Sequence, residues 1–146
     1  MVQLTVVIPD SHLDLIDGPV SVAFTTVMPD GQPQTTVVWC NRNGEHVLVN
    51  TMSKFQKAKN MRANPKVTLF AYKRGNPLRF IEVRGKVVEM TEEGAIEHLD
   101  QLAELYIGKS PYFGEVINEE WKEKETPVLC KIEPTRIIAK DFNKDG

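Results

Sequence analysis

The chain has few cysteines and no long apolar run, the features that mark disulfide-rich and membrane-spanning proteins. Its only two cysteines, Cys40 and Cys130, each lie in an apolar stretch, which predicts two buried free thiols rather than a disulfide framework. No apolar run approaches the ~20 residues that a membrane-spanning helix needs. Asp10, Asp14 and Asp17 interrupt any charged-then-apolar leader. We therefore expect a cytoplasmic protein that has no membrane partner.

The sequence also lacks the signals of several chemistries. His12, His46 and His98 lie far apart and show no ligand spacing, so we expect no metal site. There is no glycine-rich phosphate loop, no dinucleotide fingerprint and no sharp turn around a hydrolytic nucleophile. No residue stands out as an acid or a base, and the catalytic residues therefore stay unassigned.

What the chain does have is the composition of one globular domain. Its 146 residues are 41% hydrophobic and 26% charged, which is ordinary for a soluble domain with a real core. We therefore predict a single domain over residues 1–146. The net charge of -2 argues against a general nucleic-acid binder, so we expect no nucleic-acid partner.

Charge is distributed unevenly along the chain. Between Glu45 and Glu82 there are eight Lys or Arg residues and no Asp or Glu. Three of them, Lys54, Lys57 and Lys59, lie where a strand is predicted to run into a helix. A helix start offers unpaired N–H groups and the positive end of a dipole, so this junction predicts an anion site, with phosphate as the first choice. The alternative is a solvated charged face.

Runs of high β propensity alternate with turn residues along most of the chain. This pattern predicts six strands: Val20–Met28, Gln34–Asn41, Glu45–Asn50, Lys66–Tyr72, Arg79–Met90 and Pro127–Asp141. The fold class is therefore predicted to be α+β, mainly β, with a closed or nearly closed antiparallel sheet. Gly85 inside the fifth strand predicts a bulge. The second strand is apolar on both faces, which predicts that a partner subunit, a flat ligand or both cover it.

Two helices are predicted between these strands. Ser53 and Gln56 have capping-box spacing, which places the start of the first helix at Ser53, and Asn64-Pro65 ends it. Thr91 is predicted to cap the second helix. The apolar face of that helix comprises Ala95, Ile96, Leu99, Leu102, Ala103 and Tyr106.

Five segments carry a more specific likeness: Pro29–Pro33, Thr35–Trp39, Ser53–Asn60, Asn64–Val67 and Phe80–Val87. In this order and at these separations they resemble the split-barrel flavoproteins related to pyridoxamine 5′-phosphate oxidase. The likeness covers nearly the whole chain and is strongest to the short members that use FMN or the deazaflavin coenzyme F-420. It implies a six-stranded antiparallel split β-barrel with inserted helices. It also implies a homodimer with the cofactor at the subunit interface.

The resemblance also implies which residues hold the cofactor. The isoalloxazine would lie along the second strand, and the phosphate would be held where the third strand meets the first helix. On this sequence the ring site comprises Thr36, Val37, Val38 and Trp39, and the phosphate site comprises Asn50, Thr51, Ser53, Lys54, Lys57, Lys59 and Asn60. Arg79 is a further candidate for the phosphate or an acidic tail. The residues alone leave core or dimer packing open for Trp39, and ion pairing open for Arg79.

Two departures from the family pattern bear on function. Gln56 stands where the family often has Arg, which weakens the phosphate clamp unless Lys54 compensates. Cys40 and Asn41 stand where the true oxidase has the Lys that holds its substrate's phosphate. We therefore do not expect vitamin B6 oxidation.

The resemblance and the basic junction together predict a flavin-dependent oxidoreductase. FMN is the first choice of cofactor and F-420 the second, with hydride or electron transfer to a small, flat substrate. Tyr112 and Phe113 are candidates for a mobile lid. One alternative is a non-catalytic cofactor carrier, or a haem or tetrapyrrole protein on the same barrel. A further alternative is single-stranded nucleic-acid binding through the basic stretch with Phe55 and Tyr72.

Overall fold

The computed structural model describes residues 6–143. Their strands are β1 Val22–Val27, β2 Pro33–Val38, β3 Cys40–Asn43, β4 His46–Met52, β5 Lys66–Lys73, β6 Asn76–Thr91 and β7 Pro127–Asp141. Two α-helices are inserted, α1 Gln56–Ala63 after β4 and α2 Ala95–Ile107 after β6. Short helical turns cover Asp10–Leu15, Tyr112–Val116 and Glu119–Glu123. The predicted class, α+β and mainly β, is confirmed.

The seven strands form one antiparallel sheet in the order β2-β1-β5-β6-β7-β4-β3. The predicted second strand is in fact two strands, β2 and β3, which accounts for seven strands where six were expected. These two strands occupy opposite edges of the sheet, yet only Trp39 separates them in the sequence. The sheet must therefore curl until both edges meet at Trp39, and the gap in the barrel lies there.

Inward-facing residues of the strands form the core. Buried and less buried positions alternate along β1 and β4, as expected for a strand with one face toward the barrel interior. The innermost side chains are each at most 1% exposed: Val22, Phe24, Val47, Val49, Leu69, Ile81, Val83 and Ile132. Both cysteines are buried and free, as predicted. Within the described part of the chain, no helix is long and apolar enough to cross a bilayer.

Helix α1 begins three residues later than predicted. Its N-cap is Phe55, whose side chain makes no capping hydrogen bond. The Ser53 hydroxyl instead accepts a hydrogen bond of 2.9 Å from Arg62, which lies in the last turn of the helix. The capping-box prediction is therefore wrong, because a basic side chain on the same helix binds the hydroxyl. The end before Pro65 is confirmed, with Asn64 extended.

Helix α2 also begins later than predicted. Gly94 precedes its first residue with a left-handed φ of 74°, and Thr91 accepts from the Glu93 N–H at 3.1 Å instead of capping the helix. The predicted apolar face is largely buried. Ile96, however, is 37% exposed, and His98 is buried on that face.

Gly85 lies at a change of register between β6 and β7, which confirms the predicted bulge. A Cβ atom added there would lie 2.6 Å from the Glu133 carbonyl oxygen and 2.9 Å from Ile132 Cγ2. The adjacent backbone of β7 therefore leaves no room for a side chain at this bend.

Gly85→Ala is expected to lower the free energy of unfolding by about 1–2 kcal/mol, because the new methyl group must push two strands apart. Chemical denaturation would measure the change. Lys86→Ala, at an exposed position of the same strand, should change the free energy by less than about 0.5 kcal/mol. Equal stability of Gly85→Ala and the wild type would show that the two strands can separate without cost.

Candidate functional site

A pocket of about 150 Å³ lies at the gap in the barrel, where Trp39 joins the two edge strands. We call it the site pocket. Its walls come from the end of β2, the end of β4, the start of α1, helix α2 and the turn after α2. The lining residues are Val37, Val38, Trp39, Asn50, Thr51, Met52, Phe55, Lys57, Leu99, Leu102 and Tyr112.

The fold brings half of the predicted site residues together in this pocket. From the predicted ring site come Val37, Val38 and Trp39, and from the predicted phosphate site come Asn50, Thr51 and Lys57. The two groups are remote in sequence, but they meet because strands β2 and β4 both end at the gap in the barrel. The pocket residues that sequence reasoning missed are mostly apolar, and their spacing does not distinguish them from core residues.

The other predicted site residues lie outside the lining. Lys54 and Lys59 are exposed, and the Ser53 N–H donates to the Thr126 carbonyl at 2.8 Å. Asn60 is buried and donates to Thr26 Oγ1 at 3.0 Å. Asn60 therefore links α1 to the β1–β2 hairpin through hydrogen bonds that engage its amide nitrogen.

Arg79 is placed away from the pocket. Its guanidinium donates to both carboxylate oxygens of Asp14, at 3.0 and 2.7 Å, and lies 3.9 Å from Asp141. The hydrogen bond from Arg79 lowers the pKa of the Asp14 carboxyl. Arg79 therefore joins the N-terminal helical turn to the sheet, which agrees with the ion-pairing alternative.

Three buried side-chain oxygens have no hydrogen-bond partner among residues 6–143. They are Thr36 Oγ1, Asn50 Oδ1 and Thr51 Oγ1. Asn50 and Thr51 line the site pocket, and Thr36 lies two residues before Val38 on the same face of β2. Buried polar atoms are normally paired, and an unpaired one costs about 1–3 kcal/mol. The two that line the site pocket indicate a place where a polar ligand supplies the missing partners.

Lys57 is the cation of the site pocket. Its amine is half-buried, and this desolvation lowers its pKa below the usual 10.5. None of the ion pairs in the described part of the chain involves Lys57. The Nζ atom lies 5.7 Å from the centre of the Phe55 ring. A half-buried ammonium without a carboxylate favours an anionic ligand, because binding one would restore the lost solvation.

The start of α1 adds hydrogen-bond donors beside this amine. Because Gln56 is the first helical residue, the N–H groups of Gln56 and Lys57 have no acceptor within the helix. The helix dipole places partial positive charge at the same end. Together with the Lys57 ammonium, these groups form a setting suited to a phosphate.

Trp39 forms the aromatic wall of the site pocket. Its ring stacks on Tyr106 with centroids 5.4 Å apart and meets Tyr112 edge-on at 6.1 Å. The Tyr106 hydroxyl accepts from the Cys40 N–H at 3.1 Å and donates to the Val20 carbonyl at 2.9 Å. Burial raises the pKa of Tyr106, so the phenol stays neutral. Helix α2 therefore holds Trp39 in place through a stacked and anchored tyrosine.

A hydrogen-bonded series from β3 to β4 passes through His98, which sequence reasoning missed. His98 Nε2 lies 2.8 Å from Asn41 Oδ1, and Asn50 Nδ2 lies 3.1 Å from His98 Nδ1. Asn50 Nδ2 also donates to the Ala95 carbonyl at 2.9 Å. Burial lowers the pKa of His98 to about 4, so the ring is neutral, with the proton on Nε2 and an acceptor at Nδ1. This arrangement fixes the Asn50 amide and leaves its Oδ1 unpartnered.

A second pocket adjoins the first. It has a volume of about 260 Å³, and we call it the aromatic pocket. Its lining comprises Met52, Phe55, Tyr112, Phe113, Ile117, Trp121 and Glu125. Met52, Phe55 and Tyr112 belong to both pockets, so a molecule in one would lie next to a molecule in the other. Residues 6–143 contain no group of three His, Cys, Asp or Glu side chains that could hold a metal ion.

A scan against protein-family models finds a match over residues 8–141 to the model described as pyridoxamine 5′-phosphate oxidase. The chain belongs to this family. Among curated protein sequences, a search finds no match to the chain.

Several solved structures share the fold over most of the chain. An F-420 reductase is 27% identical, with 90% of this chain and 98% of that chain covered and a TM-score of 0.76. A conserved hypothetical protein of Mycobacterium tuberculosis is 23% identical, with 95% and 88% covered and a TM-score of 0.68. HupZ of Group A Streptococcus is 20% identical, with 90% and 93% covered and a TM-score of 0.66. The last two likenesses concern the fold alone.

Within the pyridoxamine 5′-phosphate oxidase family, one departure noted from the sequence is Cys40 and Asn41 in place of the substrate-phosphate lysine, and both residues have structural roles in this chain. The Cys40 thiol is buried, donates to the Ile16 carbonyl at 3.4 Å, and has a pKa raised to about 12 by burial. Asn41 is paired with His98 at 2.8 Å. Neither side chain is a cation, and both are already engaged within the fold.

Proposed function

We propose that the chain is a flavin-dependent oxidoreductase that binds FMN in the site pocket. The observation that carries the proposal is the half-buried, unpaired Lys57 ammonium in a pocket that also contains Asn50 and Thr51, whose buried side-chain oxygens have no partner in the described structure. These groups fit a ligand that has both a phosphate and a polar ring edge. FMN has both features, and family membership supports the same choice.

The residues of the site pocket divide into two tasks under this proposal. Lys57 and the free N–H groups at the start of α1 hold the phosphate. Val37, Val38 and Trp39 flank the ring, and the oxygens of Asn50 and Thr51 accept hydrogen bonds from it. A bound flavin supplies the electron or hydride transfer, while the protein positions it and excludes water. No side chain of the pocket is proposed as an acid or base.

We propose a homodimer in which a second subunit covers the site pocket. Val37 at the edge of the pocket is 67% exposed, although it begins an apolar run, Val37 to Cys40, that continues into the pocket. The pocket volume of about 150 Å³ is small for a flavin ring system, and a partner surface would complete it. Burying this edge would also remove an unpaired strand edge from solvent.

F-420 is the second candidate for the cofactor. The observation that favours it is the 27% identity over nearly the full length to a protein described as an F-420 reductase. Lys54 and Lys66 are exposed and free to meet an acidic tail. Arg62 is less suited, because it donates to the Ser53 carbonyl and hydroxyl at 2.9 Å.

Vitamin B6 oxidation is not part of the proposal. The substrate-phosphate lysine expected from the resemblance is replaced by a buried thiol at Cys40 and by Asn41, whose amide carbonyl holds His98. We propose instead a small flat substrate, in the cytoplasm, with no role for nucleic acid.

Titration of FMN and F-420 into the cofactor-free protein tests the proposal. We expect quenching of flavin fluorescence on binding, because Trp39 would lie against the ring, and a clear preference for one of the two cofactors. Binding should survive moderate salt, since buried ring contacts are not screened. Failure to bind either cofactor at high micromolar concentration would overturn the proposal. A red protein with a Soret band would instead support the haem alternative.

A further inference from the structure

The aromatic pocket has a charge opposite to that of the site pocket. Among its lining residues Glu125 is the one ionisable carboxylate, and no lysine or arginine lines it. Residues 115–125 contain five Glu and two Lys, so the surrounding surface is acidic overall, although Lys124 Nζ lies 5.0 Å from the centre of the Trp121 ring. Glu125 is half-buried and close enough to Tyr112 to help raise its pKa, although burial is the larger cause.

The walls of the aromatic pocket are flat and largely apolar. Tyr112 and Phe113 meet edge-to-face at 5.1 Å, while Trp121 is 42% exposed. Large apolar side chains that remain exposed around a concave surface commonly mark a binding site. A planar ring would pair with such walls better than a branched chain would.

The segment that forms this pocket is held in shape by its own hydrogen bonds. The Tyr112 N–H donates to Asp100 on α2 at 2.8 Å, and the Ile117 N–H donates to the Tyr112 carbonyl at 2.9 Å. Asn118 caps the helical turn that carries Trp121 by accepting from the Glu120 N–H at 3.0 Å. The pocket is therefore preformed, which lowers the entropy cost of binding.

We propose that the aromatic pocket is a second binding site, which takes a planar apolar ring without negative charge. The site excludes an anionic ring because the Glu125 carboxylate forms part of its wall, whereas the anionic group of a cofactor is drawn to Lys57. The shared residues Met52, Phe55 and Tyr112 place the two ligands side by side. The binding step itself needs no cofactor. Only the role of the bound ring as the reaction partner rests on the proposed function.

Three probes that share one ring test this site: 2-naphthalenemethanol, the cation 2-naphthylmethylammonium and the anion 2-naphthoate. Calorimetric titration of the cofactor-free protein should show binding of the first two and about tenfold weaker binding of the anion, which corresponds to about 1.4 kcal/mol. Trp121→Ala should weaken the binding of all three probes about tenfold. Its thermal unfolding should be unchanged, since the indole is 42% exposed.

Glu125→Gln is the deciding variant. It should bring 2-naphthoate to within about threefold of the neutral probe, while binding of the neutral probe stays the same. Glu119→Gln removes the same charge from the same segment but from outside the lining, and should preserve most of the discrimination.

Two outcomes would overturn the site: equal affinity of all three probes for the wild type, or unchanged affinity of the neutral probe for Trp121→Ala. Displacement of the neutral probe by FMN would also overturn it, because the two pockets would then be one. Absence of both FMN and F-420 binding with intact probe binding would reject the proposed function and leave this site standing.

Discussion

Lys57→Ala is expected to weaken FMN binding about 30-fold, or ~2 kcal/mol, the range of one charge-assisted hydrogen bond in a partly buried site. The amine is half-buried and without a carboxylate partner in the described structure, so no internal ion pair is lost with it. The dissociation constant can be measured by quenching of flavin fluorescence.

The same substitution should not destabilise the cofactor-free protein at neutral pH. Burial lowers the pKa of Lys57 below 10.5, which means that the charged form is less favourable in the folded than in the unfolded chain. That cost is fully present below the folded pKa and disappears as the pH rises to the unfolded value. A variant without the amine should therefore unfold at an equal or higher denaturant concentration. Loss of cofactor affinity without loss of stability would separate a ligand-binding role from a structural one.

The pH dependence of FMN affinity follows from the same shift. A phosphate is already doubly charged well below pH 8, so Lys57 is the site group that changes charge as the pH rises toward the lowered lysine pKa. Affinity of the wild type should fall over that range, whereas affinity of Lys57→Ala should change less.

Lys73→Ala serves as the matched control for charge. Lys73 is exposed on β5, outside the lining of both pockets, and its removal changes the net charge by the same amount. Its FMN affinity should stay within about twofold of wild type. Equal losses in the two variants would attribute the effect to net charge and reject the Lys57 assignment.

The basic junction at the start of α1 could be recognised from the sequence because its signal is local. The concentration of lysines without acids needs no knowledge of long-range contacts, and Lys57 does line the site pocket. The same signal could not separate Lys57 from Lys59, because that depends on which way each side chain leaves α1. For a related reason, the sequence could not show that the Asn60 amide is engaged within the fold. Its partner Thr26 is 34 positions away in the sequence.

The capping-box prediction was wrong because the spacing of two residues shows only that they could pair with the helix start, and other side chains can compete for them. Ser53 and Gln56 have the right spacing, but Arg62 binds the serine hydroxyl and Gln56 donates to Asn60 at 2.8 Å. The break at Trp39 was equally invisible, since Val37 to Cys40 is an unbroken apolar run. Only closure of the barrel requires the chain to leave one edge of the sheet and enter the other at that residue.

His98 shows what helical spacing alone could have indicated. It lies three residues after Ala95 and four before Leu102, both buried, and therefore on the inner face of α2. A polar ring on that face needs partners, and its two nitrogens have them in Asn41 and Asn50. The sequence contains no signal for which residues those partners are, because they come from β3 and β4.

His98→Leu is expected to lower the free energy of unfolding by about 2 kcal/mol, since it leaves the Asn41 carbonyl oxygen and one of the two Asn50 amide hydrogens without their partner at partly buried positions. It should also weaken FMN binding, because the Asn50 amide would keep only its bond to the Ala95 carbonyl and its Oδ1 would be held less firmly. His98→Gln, which keeps an acceptor and a donor on a side chain of similar reach, should recover part of both losses. Chemical denaturation and flavin fluorescence measure the two effects separately.

A pH series distinguishes this positioning role from simple packing. The folded pKa of about 4 lies below the ordinary 6.5 of histidine, so the unfolded chain takes up a proton that the folded chain cannot hold. The neutral ring therefore contributes stability above pH 6.5 that is lost progressively as the pH falls toward 4. His98→Gln has no such group, and its stability should decline less over that interval. Parallel acid curves for wild type and His98→Gln would contradict the buried neutral ring, and with it the proposed role of α2 in orienting the Asn50 amide.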